Sequence, residues 1–388
     1  MRVTITKKAE KKLRQGFPLV QKEDLVDSDF PTDWVIFQTQ RKEEIARGYL
    51  GKQNKGVGWV LTQKKVELDE SFFEAIFLKA KASRQSYFNR SDTTAFRILN
   101  GEGDSFGGLS IDWYAGYVVF SWYNETLYTH KDELVRAFQT AYPEVKGAYE
   151  KIRFASDLPE SMPIYGERAP EPLLIKENGI TYATYLNEGL MTGIFLDQRE
   201  VRGKLASGFL KGKSILNMFS YTGAFSVAAA VGGAGETTSV DLANRSLELT
   251  KEQFQVNHLS SEEQHIYVMD TFEYFKYAKR KNLSYDCIVL DPPSFARNKK
   301  KVFTVAKNYG ELIEQSLDIL APNGWLVAST NAANVSLEKF EKQIEQAIAK
   351  KGVMVRKQTS FALPSDFKTI PKFPEGSYLK VLFYQRMD

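Results

Sequence analysis

Cysteine and histidine are almost absent from the 388 residues of this chain. With Cys287 as its one cysteine, the chain cannot form an internal disulfide. The histidines His130, His258 and His265 are scattered, so a Cys/His metal site is excluded as well. No apolar run approaches the roughly 20 residues of a membrane span, and the N-terminus lacks the apolar segment of a signal peptide. The composition predicts a metal-free cytoplasmic protein.

Charge of one sign is also scarce, because the formal net charge is only +4. That value is too small to indicate a nucleic-acid partner, but the distribution of the charges is uneven. Residues 1–22 contain seven basic side chains and only one acidic side chain, that of Glu10. A second basic cluster lies at residues 297–301. Such clusters can neutralise the phosphates of RNA or DNA, although a solvated helix face has the same pattern.

Three regions differ in their patterns. Residues 1–70 have short β-like runs separated by glycine-containing turns, which is typical of a small barrel or sandwich rather than of helices. Residues 71–185 begin with a helical pattern at Ser71–Phe88 and include another at Lys131–Ala141, with apolar strands between and after them. A strand pair is predicted at Ile180–Leu186 and Gly193–Arg199. We expect a third region over residues 186–388.

From Lys213 onward, apolar runs alternate five times with helical segments. This βα alternation predicts a parallel sheet with right-handed crossovers. Two β-like runs, Val353–Phe361 and Tyr378–Tyr384, follow and predict a terminal antiparallel hairpin. The plain dinucleotide fold would add another helix and parallel strand instead. The predicted class is therefore α/β, with a Rossmann-like sheet that ends in a hairpin.

Polar residues follow several of the predicted strands. Gly223 comes after the first strand, at the start of a helix whose amides favour an anionic group. Asp241 ends the second strand 18 residues later, a distance at which acidic residues bind ribose hydroxyls. Asp270 and Asp291 end the next two strands. Each aspartate could simply cap a helix, but together they favour a nucleoside site. NAD is the competing ligand, and its Gly-x-Gly-x-x-Gly fingerprint is absent.

The turn after the fourth strand reads Asp291-Pro292-Pro293-Ser294-Phe295. Its prolines have no N–H to donate, so their neighbouring carbonyls and the Asp291 carboxylate form a wall of acceptors. That wall suits the amine or protonated ring nitrogen of an extruded base, on which Phe295 can stack. A rigid turn with a structural role alone is the alternative.

Four segments together resemble large-subunit (23S) ribosomal RNA methyltransferases: Leu99–Asp104, Thr192–Arg199, Ser220–Val227 and Leu290–Arg297. The resemblance implies class I S-adenosylmethionine-dependent enzymes with an N-terminal PUA-like RNA-binding domain and a middle α/β domain, here residues 1–70 and 71–185. It implies cofactor contacts from Gln198, Arg199, Asn217, Phe219, Ser220, Tyr221, Thr222, Gly223, Asp241, Asp270 and Asp291. It also implies that residues 1–70 recognise RNA, which supports RNA contacts from Lys7, Lys8, Lys11, Lys12 and Arg14. The second basic cluster adds Arg297, Lys299 and Lys300 as candidate RNA contacts from its charge alone.

One position departs from the family. The cytosine-C5 members have a nucleophilic cysteine after the fifth strand, where this chain has Asn331. Carbon 5 of a pyrimidine needs a thiolate at carbon 6 for activation, and Cys287 lies within an apolar strand. The sequence therefore favours a purine nitrogen, which already has a lone pair, with the target-base residues Asp291, Pro292, Pro293, Phe295 and Asn331.

Other functions stay open on the sequence alone. They are a cytosine-C5 enzyme with a non-standard route, a non-catalytic protein that binds the cofactor and RNA, a small-molecule methyltransferase, and, least favoured, a dehydrogenase. The oligomeric state is also open, with a homodimer as one possibility.

Overall fold

The computed structural model describes residues 1–297 and 302–388, which form two compact units. The first unit comprises residues 1–176, 184–192 and 365–376, and the second comprises residues 177–183, 193–364 and 377–388. The chain therefore leaves the second unit late in the sequence, adds a short segment to the first unit, and returns. Within the described ranges, no helix has both the length and the apolar character that crossing a membrane requires.

The first unit begins with a five-stranded sheet and one helix. Its strands are β1 (Arg2–Thr4), β2 (Leu19–Val20), β3 (Asp33–Gln38), β4 (Glu44–Leu50) and β5 (Gly58–Thr62), in the order β1-β3-β4-β5-β2. The predicted β-rich region is confirmed, but helix α1 (Lys7–Arg14) was not expected. Thr6 caps this helix, and Ala9 and Leu13, one turn apart, are its buried residues. Two apolar positions give too short a pattern for periodicity to detect.

A second five-stranded sheet completes the strands of the first unit. These are β6 (Ala95–Asn100), β7 (Leu109–Tyr114), β8 (Tyr117–Trp122), β9 (Gly147–Ile152) and β10 (Ser161–Gly166), in the order β10-β9-β8-β7-β6. The accompanying helices are α2 (Glu70–Ser83), α3 (Gln85–Phe88), α4 (Glu125–Thr129) and α5 (Lys131–Ala141). The predicted helix over residues 71–88 is thus two helices, because Arg84 leaves the helical conformation between them. Helix α5 has the bounds that its sequence predicted.

The segment Leu99–Asp104, which comprises the end of β6 and the residues just after it, contacts the returning chain at residues 365–376. Gly103 packs so closely against the backbone carbonyl of Lys368 that any Cβ at this position would overlap it. Asn100 donates a hydrogen bond of 2.8 Å from its side-chain amide to the same carbonyl. Glycine is therefore required at position 103 by the close approach of two backbones.

A buried ion pair strengthens the same junction. The guanidinium of Arg84 donates two hydrogen bonds of 2.7 Å to the Asp104 carboxylate and one of 2.7 Å to the backbone carbonyl of Asp366. All three residues are almost fully buried. The bidentate geometry supplies the partners that a buried charge pair needs. This motif is accordingly explained by the folding of the first unit.

The second unit is built on a seven-stranded sheet. After β11 (Leu173–Glu177) and β12 (Ile180–Thr184), the chain forms β13 (Ser214–Met218), β14 (Glu236–Asp241), β15 (His265–Val268), β16 (Tyr285–Leu290), the short pair β17 (Phe295–Arg297) and β18 (Val302–Thr304), then β19 (Leu320–Thr330), β20 (Val355–Phe361) and β21 (Lys380–Arg386). The sheet order is β15-β14-β13-β16-β19-β21-β20. Its first five strands run parallel, and β21 is antiparallel to both neighbours.

Helices separate the strands of this sheet, as the βα pattern predicted. They are α6 (Arg199–Ala206), α7 (Ala224–Val231), α8 (Ser246–Gln255), α9 (Thr271–Arg280), α10 (Val305–Leu317) and α11 (Leu337–Lys351). The predicted α/β class is confirmed, and so is the antiparallel pairing of the last two strands. These strands are joined through residues 362–379 rather than by a tight turn, because residues 365–376 belong to the first unit.

The prediction of a strand at Gly193–Arg199 was wrong. Residues 196–198 form one turn of 3₁₀-helix, and α6 begins directly at Arg199. Val201 and Leu205 are buried one turn apart, which fixes this segment as a helix. The alternation of polar and apolar residues before Arg199 was too short to distinguish a strand from a helix start.

Candidate active site

The carboxyl ends of the parallel strands in the second unit carry the predicted nucleoside-binding residues. Asp241 ends β14, and its carboxylate accepts hydrogen bonds of 2.9 Å from the amides of Tyr221 and Ala243. Tyr221 belongs to the turn after β13, so the structure brings the glycine turn and Asp241 together. A carboxylate has about four lone-pair positions, so two amide donors leave it able to accept from ribose hydroxyls.

Asp270 follows β15 and caps helix α9. One carboxylate oxygen accepts from the amides of Phe272 at 2.9 Å and Glu273 at 3.3 Å. The capping role that strand-end aspartates often have is therefore present at this position. The residue is partly exposed, so it stays accessible to a ligand.

The turn between β13 and α7 has an unusual backbone. Phe219, Tyr221 and Gly223 have φ values of 60°, 52° and 76°, in the left-handed region. Two aromatic residues there cost on the order of 1–3 kcal/mol each, and such strain concentrates at functional sites. A Cβ on Gly223 would lie 2.6 Å from the Cγ2 atom of Thr250. Gly223 is the N-cap of α7, and no side chain caps that helix. Its first amides are thus left for a ligand.

Tyr221 and Thr222 tie this turn to the segment before α6. The Tyr221 hydroxyl accepts a hydrogen bond of 3.1 Å from the Gly193 amide, and the Thr222 hydroxyl donates one of 2.7 Å to the Gly193 carbonyl. The rings of Phe195 and Tyr221 lie 5.3 Å apart. Two motifs that are distant in sequence therefore form one structure. Ser220, which precedes Tyr221 in the turn, is buried.

Asn217 and Gln198 each contribute a buried amide. The Asn217 nitrogen donates 3.1 Å to the Ser226 hydroxyl, and the Gln198 nitrogen donates 3.1 Å to Asp291 and 2.8 Å to Ser329. Neither side-chain carbonyl oxygen has a hydrogen-bond partner among the described residues. Unpaired buried acceptors are costly, and a ligand with donor groups would satisfy them.

Arg199 follows Gln198 at the start of α6. Its side chain is fully buried, and its guanidinium lies 3.6 Å from the carboxylate of Glu200. A buried guanidinium so close to Gln198 is compatible with a role in shaping the cofactor site.

Asp291 is the most perturbed carboxyl group of this edge of the sheet. Burial, and to a smaller extent the negative charge of Asp197, raises the pKa of Asp291 to about 6. Hydrogen bonds from Ser329 and Gln198 act in the opposite direction. A carboxylate poised near neutral pH is typical of functional sites.

The Asp-Pro-Pro turn is anchored by a buried hydroxyl on one side and exposed to solvent on the other. The Tyr309 hydroxyl donates 3.2 Å to the Leu290 carbonyl and 2.8 Å to the Ser329 carbonyl, which fixes the ends of β16 and β19. Pro292 is buried, whereas Pro293 and Ser294 are exposed. Phe295 is 60% exposed and begins β17, which pairs antiparallel with β18; the sequence did not predict this pair.

Asn331 lies beside this turn. The Ser294 hydroxyl donates a hydrogen bond of 2.6 Å to the Asn331 side-chain oxygen, so the ends of β16 and β19 meet as predicted. Cys287 is fully buried within β16, and burial raises the pKa of its thiol. Because the chain has no other cysteine, no thiolate is available at this site.

The basic residues of α1 divide into two groups. Lys12 pairs with Asp24, and Arg14 pairs with Glu10 at 3.0 Å and Glu43 at 2.9 Å. Lys7, Lys8 and Lys11 are exposed. Arg297 lies in β17, but its side chain, together with Lys299 and Lys300, falls outside the described part of the chain.

Two contributors were missed by the sequence reasoning. Ser329 binds the Gln198 nitrogen, and Tyr378 donates a hydrogen bond of 2.8 Å to the Asp197 carboxylate. Asp197 lies within the Thr192–Arg199 segment of the family resemblance, so the sequence could have indicated it. No local signal marks Tyr378, because its partner Asp197 lies 181 positions earlier in the sequence.

Comparison with known proteins decides the family. The sequence profile described as S-adenosylmethionine-dependent methyltransferase matches residues 103–365, and that of a PUA-like domain matches residues 3–63. The chain belongs to the S-adenosylmethionine-dependent methyltransferases. Its methyl donor is S-adenosylmethionine, and it combines the methyltransferase fold with an N-terminal PUA-like domain.

Relatives cover the whole length of this methyltransferase. YwbD of Bacillus subtilis, named as a ribosomal RNA large subunit methyltransferase, is 48% identical over 99% of both chains. A Deinococcus radiodurans protein of the same name is 32% identical over 99% of this chain and 97% of its own. The crystal structure of the methyltransferase SMU.776 complexed with SAH superposes with a TM-score of 0.94 at 48% identity, covering 99% of this chain and 100% of that one.

Proposed function

We propose that this methyltransferase modifies a base of large-subunit ribosomal RNA in the cytoplasm, at a purine nitrogen. The names of its relatives and the PUA-like domain support an RNA substrate. The exposed Lys7, Lys8 and Lys11 on α1 give that domain a positive surface for phosphates. The proposal includes three domains, with divisions near residues 70 and 185.

The chemistry of the strand ends fits S-adenosylmethionine. When bound, this cofactor supplies a methyl group on a sulfonium centre. Asp241 would accept from the ribose hydroxyls, and Asp270 from the adenine amino group. The left-handed turn at residues 219–223 lets the ligand approach the backbone, and the Gln198 carbonyl oxygen would accept a donor that the protein itself does not supply. Arg199 and Asn217, which are also among the proposed cofactor-binding residues, are buried and would form the inner wall of this pocket.

The target base would lie against the Asp291–Phe295 turn. The Asp291 carboxylate and the carbonyls around Pro292 and Pro293 would accept from an exocyclic amine or ring N–H, and the exposed Phe295 would stack on the base. Direct transfer to a nitrogen lone pair needs alignment and proton acceptance rather than covalent activation. The observation that carries the choice of atom is Asn331 beside this turn in a chain without an accessible thiol.

Nucleoside mass spectrometry can test this proposal directly. The full-length protein would be incubated with methyl-labelled S-adenosylmethionine and large-subunit RNA from cells that lack its gene. We expect one labelled methylpurine. Labelled 5-methylcytosine would overturn the nitrogen target and revive a non-standard C5 route. Cofactor binding without transfer to free or ribosomal RNA would instead indicate a non-catalytic protein.

Cys287→Ala is the matched control for the thiol argument. Because the thiol is buried in β16, this variant should keep its full transfer rate and lose roughly 1 kcal/mol of unfolding free energy. A rate that falls a hundredfold in a folded Cys287→Ala protein would contradict direct transfer.

A further inference from the structure

The residues before and at the start of β21 contact two separate parts of the candidate target-base site. The Tyr378 hydroxyl donates a hydrogen bond of 2.8 Å to the Asp197 carboxylate. Two residues later, the Lys380 ammonium donates 2.9 Å to the carbonyl of Ala332 and 2.9 Å to that of Tyr378 itself. All of these residues belong to the second unit.

Both contacts lie one residue from a group of the site. Asp197 precedes Gln198, whose amide nitrogen binds Asp291 at 3.1 Å. Ala332 follows Asn331, whose side chain binds Ser294. One short segment therefore fixes a residue on each side of the Asp-Pro-Pro turn, although it supplies no atom of that turn.

We propose that Tyr378 and Lys380 are positioning residues for methyl transfer, with Tyr378 orienting Asp197 and Lys380 fixing the turn that carries Asn331. This inference rests on the proposed function, because it assigns Asp291 and Asn331 to the target base. Substrate positioning of this kind matters because small misplacements of reacting groups cost large factors in rate.

The charges that face Asp291 explain why Tyr378 matters. The Asp197 carboxylate raises the pKa of Asp291, and the Arg202 guanidinium lowers it. Arg202 is largely committed to Glu177, to which it donates hydrogen bonds of 2.6 and 2.7 Å within the protein interior. The Tyr309 hydroxyl also lies nearby but donates to backbone carbonyls. The Tyr378 hydroxyl, which donates to the Asp197 carboxylate, disperses part of the negative charge that acts on Asp291.

Lys380 acts through the backbone. Its side chain is partly buried, and burial lowers its pKa. An ammonium that donates to two carbonyls forms stronger hydrogen bonds than a neutral donor would. These bonds connect the residue after Asn331 to β21, so Asn331 is held from a strand that carries no target-base residue.

The decisive variant is Tyr378→Phe, compared with Tyr384→Phe. Tyr384 lies on β21, six residues after Tyr378, and its buried hydroxyl has no hydrogen-bond partner among the described residues. Loss of the Tyr378 donor removes one hydrogen bond from the Asp197 carboxylate and leaves more of its negative charge facing Asp291, so Asp291 should hold its proton to higher pH. We expect the acidic limb of the pH–rate profile to move up by roughly half a unit to one unit. Tyr384→Phe should keep the wild-type profile.

A titration that does not depend on activity separates this inference from the proposed function. In protein labelled with ¹³C at the aspartate carboxyl carbons, the Asp291 signal is assigned by its loss in Asp291→Asn. Tyr378→Phe should shift its titration midpoint upward, even if no RNA proves to be a substrate. An unchanged midpoint would overturn the role of Tyr378.

Lys380 is tested by Lys380→Met and Lys380→Arg. The methionine variant should reduce kcat roughly tenfold, with little change in the affinity for S-adenosylhomocysteine, because Asn331 loses its support. Arginine can still donate to both carbonyls and should restore most of the rate. Equal rates in wild type and Lys380→Met, or a loss that Lys380→Arg does not rescue, would overturn the role of Lys380.

Discussion

Two polar motifs of this methyltransferase differ in how completely their groups are satisfied. Around Leu99–Asp104 in the first unit, the buried Arg84 and Asp104 pair with each other, and the nearby carbonyls of Asp366 and Lys368 accept from side-chain donors. Around the strand ends of the second unit, the side-chain oxygens of Gln198 and Asn217 have no hydrogen-bond partner in the described part of the protein.

This difference separates residues that hold the fold from residues left ready for a ligand. A buried polar network whose groups all have partners stabilises the folded chain, whereas removal of one partner is strongly destabilising. Stability is lowered by hydrogen-bond acceptors without partners, by aromatic residues with a left-handed backbone conformation, and by a carboxyl group with a raised pKa. Such features persist where function requires them. Both motifs are equally conspicuous in the sequence, so only their contacts distinguish them.

The largest expected effect is on the satisfied motif. Gly103→Ala places a methyl group against the Lys368 carbonyl, so it should lower the free energy of unfolding by at least about 3 kcal/mol. Thermal unfolding would measure this loss. Gly310→Ala is the control, because Gly310 lies within α10 with no close neighbour, and alanine there should stabilise the helix by about 0.5–1 kcal/mol. Similar melting temperatures for both variants would contradict a structural role for the motif.

The unsatisfied motif should respond in the opposite way. Asp291→Asn should reduce methyl transfer roughly a hundredfold, because an amide accepts a proton or amine less well than a carboxylate. The same variant should unfold at an equal or higher temperature at pH 7. A variant that loses stability together with activity would place Asp291 among the residues that hold the fold.

The pH dependence of stability follows from the raised pKa of Asp291. The folded protein disfavours the ionised carboxyl, so this group's contribution is most favourable below its ordinary pKa near 3.8 and declines until the pH passes about 6. The decline between these values should be smaller in Asp291→Asn than in wild type. Transfer by wild type should fall below pH 6, because the proposed acceptor is then protonated.

Much of this architecture could be predicted from the sequence. The βα alternation identified the parallel sheet, because each strand and helix is long enough for its period to show. The strand ends then placed Asp241, Asp270 and Asp291 along one edge, since parallel strands share a direction. The turn at Gly223 was predictable for the same reason.

What the sequence could not supply depends on contacts between distant segments. The turn of 3₁₀-helix before Arg199 lies where the sequence predicts a strand, because seven residues are too few to distinguish the period of a strand from that of a helix. Tyr378 contacts Asp197 across a separation of 181 positions in the sequence. The segment 365–376 was invisible as part of the first unit, because its partners Arg84 and Gly103 lie more than 260 positions earlier. Local pattern carries no information about such pairing.

The smallest effect separates free from paired charges on α1. Lys7, Lys8 and Lys11 are exposed, whereas Lys12 and Arg14 are already paired with carboxylates. Replacing the three exposed lysines with alanine should weaken RNA binding and make the slope of log affinity against log salt shallower by about 2–3 units, roughly one for each lost phosphate contact.

A charge-matched control on the second unit distinguishes a local contact from a general loss of charge. It replaces three exposed lysines that form no ion pair within the described part of the chain: Lys281, Lys339 and Lys342. Equal slopes for the two triple variants would show that net charge alone draws RNA to the protein. Replacing Lys12 and Arg14 as well should make the salt slope only slightly shallower, because their ion pairs must break before either side chain can contact a phosphate. If these two replacements changed the slope as much as the exposed lysines do, paired and free side chains would not differ in RNA binding.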